Sequence, residues 1–168
     1  MPPVSLRNAT PDDAEAIAAI WNPIIRDTVI TFNPVQRSIP EIEGMISARQ
    51  ADGHAFLIAQ DAAQVLGFAS YAQFRGGLGY ARCIEHTINL APAARGKGAG
   101  RVLLLALEGH AAAAGHHVMV AAVTGSNAAS VSFHAKMGYM TIGTMPQVGW
   151  KFGQFHDLVL MQKFLGLR

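Results

Sequence analysis

Cys83-Ile-Glu-His-Thr-Ile-Asn-Leu-Ala-Pro-Ala-Ala-Arg-Gly-Lys-Gly-Ala-Gly-Arg101 is the stretch from which the rest of the chain can be read. It begins as a strand carrying one carboxylate, Glu85, continues as a basic glycine loop, and opens a Leu-rich helix. Gly96, Gly98 and Gly100 leave neighbouring backbone N–H groups free of side-chain cover. A loop of this kind at a helix start can wrap an anion, helped by the unpaired N–H groups and dipole of the first turn. Arg95, Lys97 and Arg101 supply the compensating charge. The loop is not a Walker A sequence, because no Ser or Thr follows a Gly-Lys pair, and it lacks the dinucleotide glycine spacing. A strand carboxylate beside a phosphate cradle points to base chemistry next to a phosphorylated cofactor. An ordinary glycine-rich connection is the other reading.

The order Arg-x-x-Gly-x-Gly directly after a strand resembles the pyrophosphate loop of the GNAT-type N-acetyltransferases. Asn127-Ala-Ala-Ser-Val-Ser-Phe-His-Ala-Lys-Met-Gly-Tyr139 resembles the second cofactor helix of that superfamily. The tail from Met145 to Gln162 contains Lys151-x-Gly-x-x-x-Asp157 before a last strand. It resembles the phosphinothricin and methionine sulfoximine acetyltransferase subfamily. The resemblance runs from Arg7 to Lys163. It implies an α/β fold with a central mixed, mostly antiparallel sheet flanked by helices, and acetyl-CoA as cosubstrate.

Composition agrees with one globular domain over residues 1–168. About half the residues are hydrophobic and 14% are charged, which excludes a disordered chain. A net charge of +2 without a long basic run argues against nucleic acid as a partner. No apolar run approaches the roughly 20 residues that span a bilayer, and the Met1-Pro2-Pro3 start carries no signal peptide. Cys83 is the lone cysteine, so a reducing cytoplasm is the expected setting.

Val4–Arg7 reads as a first strand. Thr10-Pro11-Asp12-Asp13 caps a helix whose Ile17, Ile20 and Trp21 face inward, and Ser38-Ile-Pro-Glu41 repeats the signature for a second helix ending near Gly53. Ala55–Gln60 and Val65–Phe74 form a hairpin across the Asp61-Ala62-Ala63-Gln64 turn. Arg75–Gly79 is a loop before a strand at Tyr80–Leu90. A helix over 98–114 closes at Gly115. A strand follows at His117–Val123, then a helix at Asn127–Lys136 and two final strands.

Acetyl transfer to an amine needs a base for the ammonium, a donor for the oxyanion, and a proton for the departing thiolate. Glu85 suits the first task, since burial among apolar residues raises a carboxylate's pKa. The subfamily's Val-Glu-His/Ser-Ser/Thr stretch reads Ile84-Glu85-His86-Thr87 here, and the resemblance assigns its Glu as general base. A structural Glu85 paired with Arg82 or Arg75 is the alternative. A backbone N–H near Leu90 is the expected oxyanion donor, with Ile88, Asn89 and Leu90 along the pantetheine arm. The superfamily's usual helix Tyr is absent, and His134 stands in its stretch as acid or proton relay, or as a packed histidine. The cofactor set implied is Ile88, Asn89, Leu90, Arg95, Gly96, Lys97, Gly98, Ala99, Gly100, Arg101, Asn127 and Lys136. No histidine spacing copies a metal site, so no metal is expected.

An amino-acid acceptor brings a carboxylate, which an arginine clamps well. Arg75 and Arg82 flank the loop that leads into the Glu85 strand. With Phe32, Gly76, Gly77, His86 and Thr87 they complete the expected acceptor contacts. The resemblance implies L-phosphinothricin, methionine sulfoximine or methionine sulfone as acceptor, a detoxifying resistance activity, and a homodimer with pocket loops near its interface. Another amine, such as a polyamine, aminoglycoside or protein N-terminus, and a non-catalytic acyl-CoA sensor are the other readings.

Overall fold

A computed structural model describes residues 4–62 and 64–166. The Met1-Pro2-Pro3 start and Ala63 of the hairpin turn lie outside the described residues. The strands are β1 (Ser5–Asn8), β2 (Phe56–Asp61), β3 (Gln64–Gln73), β4 (Cys83–Leu90), β5 (Val118–Thr124), β6 (Met140–Lys151) and β7 (Gln154–Phe164). The helices are α1 (Ala14–Asp27), α2 (Ile39–Ala51), α3 (Ala99–Ala113) and α4 (Ala128–Lys136). The described strands form one seven-stranded sheet in the order β1-β2-β3-β4-β5-β7-β6. Every pairing is antiparallel except β4 with β5.

Both capping signatures form. Thr10 and Asp13 close a capping box on a one-turn 3-10 lead-in, Pro11–Asp13, that feeds α1. Arg7 clamps Asp13 through both carboxylate oxygens at 2.6 and 2.7 Å, tying β1 to that turn. Ser38 and Glu41 satisfy each other's backbone N–H groups at the start of α2. The first strand begins at Ser5 rather than Val4. A larger departure is the strand expected from Tyr80, which begins at Cys83. Leu78–Tyr80 winds into a 3-10 turn instead. Gly77 takes φ +104°, and the Gln73 side-chain amide donates to the Arg75 and Gly77 carbonyls at 2.6 and 2.8 Å. These bonds hold the chain in a turn that an extended Tyr80 would break.

The sheet buries both faces. On one, Leu103, Leu104 and Leu107 of α3 cover Ala69, Tyr71, Ile84 and Met119. On the other, Ile17, Trp21, Ile24 and Ile25 of α1, with Ile42 and Ile46 of α2, cover Phe56, Ile58 and Phe68. Each such side chain contributes about 1.5–3 kcal/mol by leaving water. Side chains alternate along β4, so Ile84, His86, Ile88 and Leu90 belong to the α3 face, while Glu85, Thr87 and Asn89 belong to the α1–α2 face. Strand pairing agrees, setting Asn89 opposite Phe68 and His86 opposite Tyr71.

Candidate active site

The parallel ladder between β4 and β5 ends at Glu85↔Val120. Beyond it β4 stays paired with β3 as far as Leu90, and β5 stays paired with β7 as far as Thr124. The sheet therefore splits at its centre, and the split connects its two faces. Ala91 N–H bonds Leu66 O on β3. Alternation along the strand then turns the N–H groups of Ile88 and Leu90 the other way, into the split. They are backbone donors freed from a sheet partner, as the oxyanion reading requires.

Two cavities meet at this split. One, of about 400 Å³, is lined by Trp21, Ile30, Thr31, Phe32, Arg37, Glu85, His86, Thr87, Ile88, Asn89, Val123, Thr124, Asn127, Ser130, His134 and Leu158, among others. The second, of about 330 Å³, runs from Ile24 and Ile30 past Ile88, Asn89, Leu90, Arg95, Gly96, Gly100, Asn127, Ala129, Ser130, Phe133 and His134. Ile30, Ile88, Asn89, Asn127, Ser130 and His134 border both.

The second cavity ends at the glycine loop. Gly96 and Gly98 adopt φ +72° and +87°, and Gly98 is the N-cap of α3. Nothing lies within 4 Å of where a Cβ would stand on either, so the loop's inner surface is bare backbone. The first-turn N–H groups of α3 are left to an external acceptor, with Arg95, Lys97 and Arg101 exposed around them. This donor set fits a diphosphate. Ala99 is buried under the loop, and Arg101 reaches the Met137 sulfur at 3.9 Å. Lys136 is exposed at the end of α4, outside the cavity linings. Asn127 accepts from Ser130 N–H at 3.2 Å as the N-cap of α4.

Glu85 is half-buried on the α1–α2 face, and burial pushes its carboxyl pKa above the usual range. No ion pair forms between Glu85 and Arg75 or Arg82. Cys83, on the same face, has its thiol pushed up by burial and then by Glu85, which keeps it protonated and a poor nucleophile. Among the described residues no group of three or more His, Cys, Asp or Glu could hold a metal ion. Among the described residues no helix is long and apolar enough to cross a membrane.

The expected acceptor contacts separate into two groups. Phe32, Glu85, His86 and Thr87 line the larger cavity. Arg75, Gly76, Gly77 and Arg82 do not line either cavity within a single chain. Arg75 is exposed over the Tyr80 ring at 5.8 Å, and the Arg82 carbonyl receives His117 and Val118 N–H at the closed end of the split. The arginine that does line the larger cavity is Arg37. Its backbone is pinned by Asn22 through two 2.9 Å bonds, and its guanidinium carbon lies 4.5 Å from the centre of the buried Trp21 ring. Its Nε is buried without a hydrogen-bond partner.

Lys151 holds in place the wall of the larger cavity that carries Thr31 and Phe32. Only 3% exposed, it donates to the carbonyls of Ile25, Thr28 and Thr31 at 2.6, 2.7 and 2.8 Å, fixing the chain from the end of α1 to Phe32. Phe32 stacks on His156 at 5.8 Å and lies over Gly149, where a Cβ would collide with its ring.

Comparison with known proteins agrees with this geometry. A family model described as "Acetyltransferase (GNAT) family" matches residues 21–139. The L-methionine sulfoximine/L-methionine sulfone acetyltransferase of Pseudomonas paraeruginosa is 41% identical over 159 residues, covering 94% of this chain and 92% of the relative. A phosphinothricin N-acetyltransferase of Streptomyces coelicolor is 30% identical, covering 95% of each chain. An acetyltransferase from Salmonella typhimurium, solved with its cofactor acetyl-CoA, superposes with TM-score 0.95 at 35% identity. That match covers 99% of this chain and 96% of the other.

Proposed function

Since the chain belongs to the GNAT acetyltransferase family, we propose that it moves the acetyl group of acetyl-CoA to the α-amine of a small amino acid analogue. Methionine sulfone, methionine sulfoximine and L-phosphinothricin are the acceptors, and acetylation detoxifies the latter two in the cytoplasm. The observation that carries this reading is the split sheet, with Glu85 on one face and the glycine cradle reached from the other.

Bound acetyl-CoA supplies the acetyl group as a thioester. The Gly96–Arg101 loop holds its diphosphate through backbone N–H groups, while Ile88, Asn89, Leu90 and Asn127 line the arm that leads into the split. The acceptor enters from the α1–α2 face between Trp21, Phe32 and Arg37. Arg37, which lines this cavity, receives its carboxylate. Glu85, with its raised pKa, removes a proton from the ammonium directly or through one water. The N–H groups of Ile88 and Leu90 face the carbonyl oxygen where negative charge develops. His134, on the far side of the split, supplies a proton to the departing sulfur. The protonated Cys83 thiol favours direct transfer over an acetyl-cysteine route.

A homodimer fits the apolar outer hairpin, where Ile142, Val148, Trp150 and Phe155 are exposed. A second copy also offers the Arg75–Gly79 loop a pocket to complete.

Thiol release from acetyl-CoA, measured separately with L-phosphinothricin, methionine sulfoximine, methionine sulfone, spermidine and kanamycin, tests the reading. Saturable release with the amino acid analogues alone is expected. Release with spermidine or kanamycin alone overturns the acceptor assignment.

A further inference from the structure

His86 and His134 meet end to end inside the protein, Nε2 to Nε2 at 3.0 Å, with 8% and 3% of their surfaces exposed. The other nitrogen of His86, Nδ1, lies 3.0 Å from the Val120 carbonyl oxygen. Nδ1 of His134 lies 2.8 Å from the Ser130 carbonyl oxygen and 3.3 Å from Ser130 Oγ. A carbonyl oxygen only accepts, so both Nδ1 atoms carry protons. The Nε2 contact needs a proton as well, because two bare lone pairs at that distance repel. Three hydrogen bonds thus require three protons, and two neutral imidazoles bring two. Switching the His134 tautomer does not remove the deficit. It fills the Nε2 contact but sets a bare Nδ1 2.8 Å from the Ser130 carbonyl oxygen, closer than the Ser130 hydroxyl, at 3.3 Å, that could donate to it.

We infer that His86 and His134 share one extra proton between their Nε2 atoms as a buried imidazole–imidazolium pair, and that this is the proton delivered to the departing sulfur. The delivery step rests on the acetyl-transfer reading above; the proton count rests on geometry alone. His86 is thereby a positioning residue that stores the proton His134 hands over.

Burial opposes charge here. It is the main cause lowering the pKa of both rings, His86 to about 3, and repulsion from the neighbouring ring adds to the effect on His86. These pressures act against the shared proton as well as against any further one. The shared proton is sustained because it is spread over two rings and leaves no buried ring nitrogen unpaired. The pull of Glu108 on His134 adds to it, although Glu108 is itself paired with Lys163 at 2.7 Å. Tyr139 packs its ring against both histidines at 5.8 and 5.3 Å, and burial followed by Glu108 keeps its hydroxyl protonated. Glu85, beside His86 in sequence, lies on the opposite face of β4.

The balance closes. As the carbon–sulfur bond breaks, the sulfur keeps the electron pair and takes the shared proton, leaving a neutral pair with one contact unfilled. The acceptor ammonium loses two protons on becoming an amide. One returns to the pair and the other leaves to solvent.

Protein labelled with ¹⁵N-histidine allows the protons on the four ring nitrogens to be counted by NMR at pH 7, without any ligand. The expected spectrum has both Nδ1 atoms protonated and a third, far-downfield proton bridging the Nε2 atoms. One bare ring nitrogen in the pair at that pH overturns the proposal. His86→Phe should lose the bridging proton and lower kcat about 10–100-fold, the range of a weakened general acid. The KM for acetyl-CoA should stay within about threefold. Three protons in the wild type together with wild-type turnover in His86→Phe would overturn the delivery step. Failure of acetyl transfer with every acceptor would strike the functional reading and leave the proton count standing, so the two failures are distinguishable.

Discussion

Arg37 is a small residue-scale feature with a large expected effect. Its guanidinium rests on Trp21, its Nε is buried without a partner, and the residue lines a cavity that otherwise offers few charges to a substrate carboxylate. A charge-assisted hydrogen bond contributes about 1.5–3 kcal/mol. Arg37→Met should therefore raise the KM for methionine sulfone about 10–100-fold and leave acetyl-CoA affinity unchanged. An unchanged acceptor KM would remove Arg37 from recognition. Glu85 was legible in the sequence because a single carboxylate interrupts an apolar strand. Arg37 was not, because it lies in an irregular loop with no periodicity, one residue before a capping box that already accounts for its surroundings. His86 was only half legible. Its place beside Glu85 suggested an acceptor contact, yet strand alternation puts its ring on the opposite face, against His134.

At the scale of elements, the loop after α1 is shaped by a strand far from it in sequence. Lys151 of β6 replaces water for three carbonyls that helix α1 and its loop leave unpaired. Lys151→Met strands those acceptors in a buried setting. We expect it to cost about 2–4 kcal/mol of stability, read as a lower Tm, and to raise the acceptor KM more than the acetyl-CoA KM. Equal effects on both KM values, or an unchanged Tm, would contradict this role. The helix starts were readable because Thr10 and Ser38 carry their own capping partners three residues on. The start of β4 was not. The Gln73 side chain and Gly77 decide it, and neither speaks through hydrophobic pattern. The tail containing Lys151 was readable only as a resemblance, since nothing local says that its ammonium is buried.

At the scale of the molecule, one sheet does two jobs. In the proposed reaction its central split gives the acceptor and the cofactor separate faces and a shared opening, while its outer hairpin leaves Met140, Ile142, Met145, Val148, Trp150, Phe152 and Phe155 exposed. So much apolar surface on one hairpin suits a protein partner. Sedimentation should give twice the 17.9 kDa chain mass, and Ile142→Lys with Val148→Lys should give the single-chain mass. A wild-type protein sedimenting at the single-chain mass would contradict the dimer. The mixed sheet and its cofactor loop could be anticipated from motif order, whereas the union of the two cavities depends on where the β4–β5 ladder stops. The most direct measurement is the pH dependence of kcat/KM for methionine sulfone in wild type and Glu85→Gln, with acetyl-CoA binding measured in parallel. Burial raises the Glu85 pKa, so the ionised base is lost as pH falls through that raised value, and the wild-type rate should fall with it. Glu85→Gln should bind acetyl-CoA normally and lose about 100-fold or more in rate. Its deficit should be largest at low pH and shrink as the free amine appears at high pH. Matching pH profiles and rates in the two proteins would contradict the account.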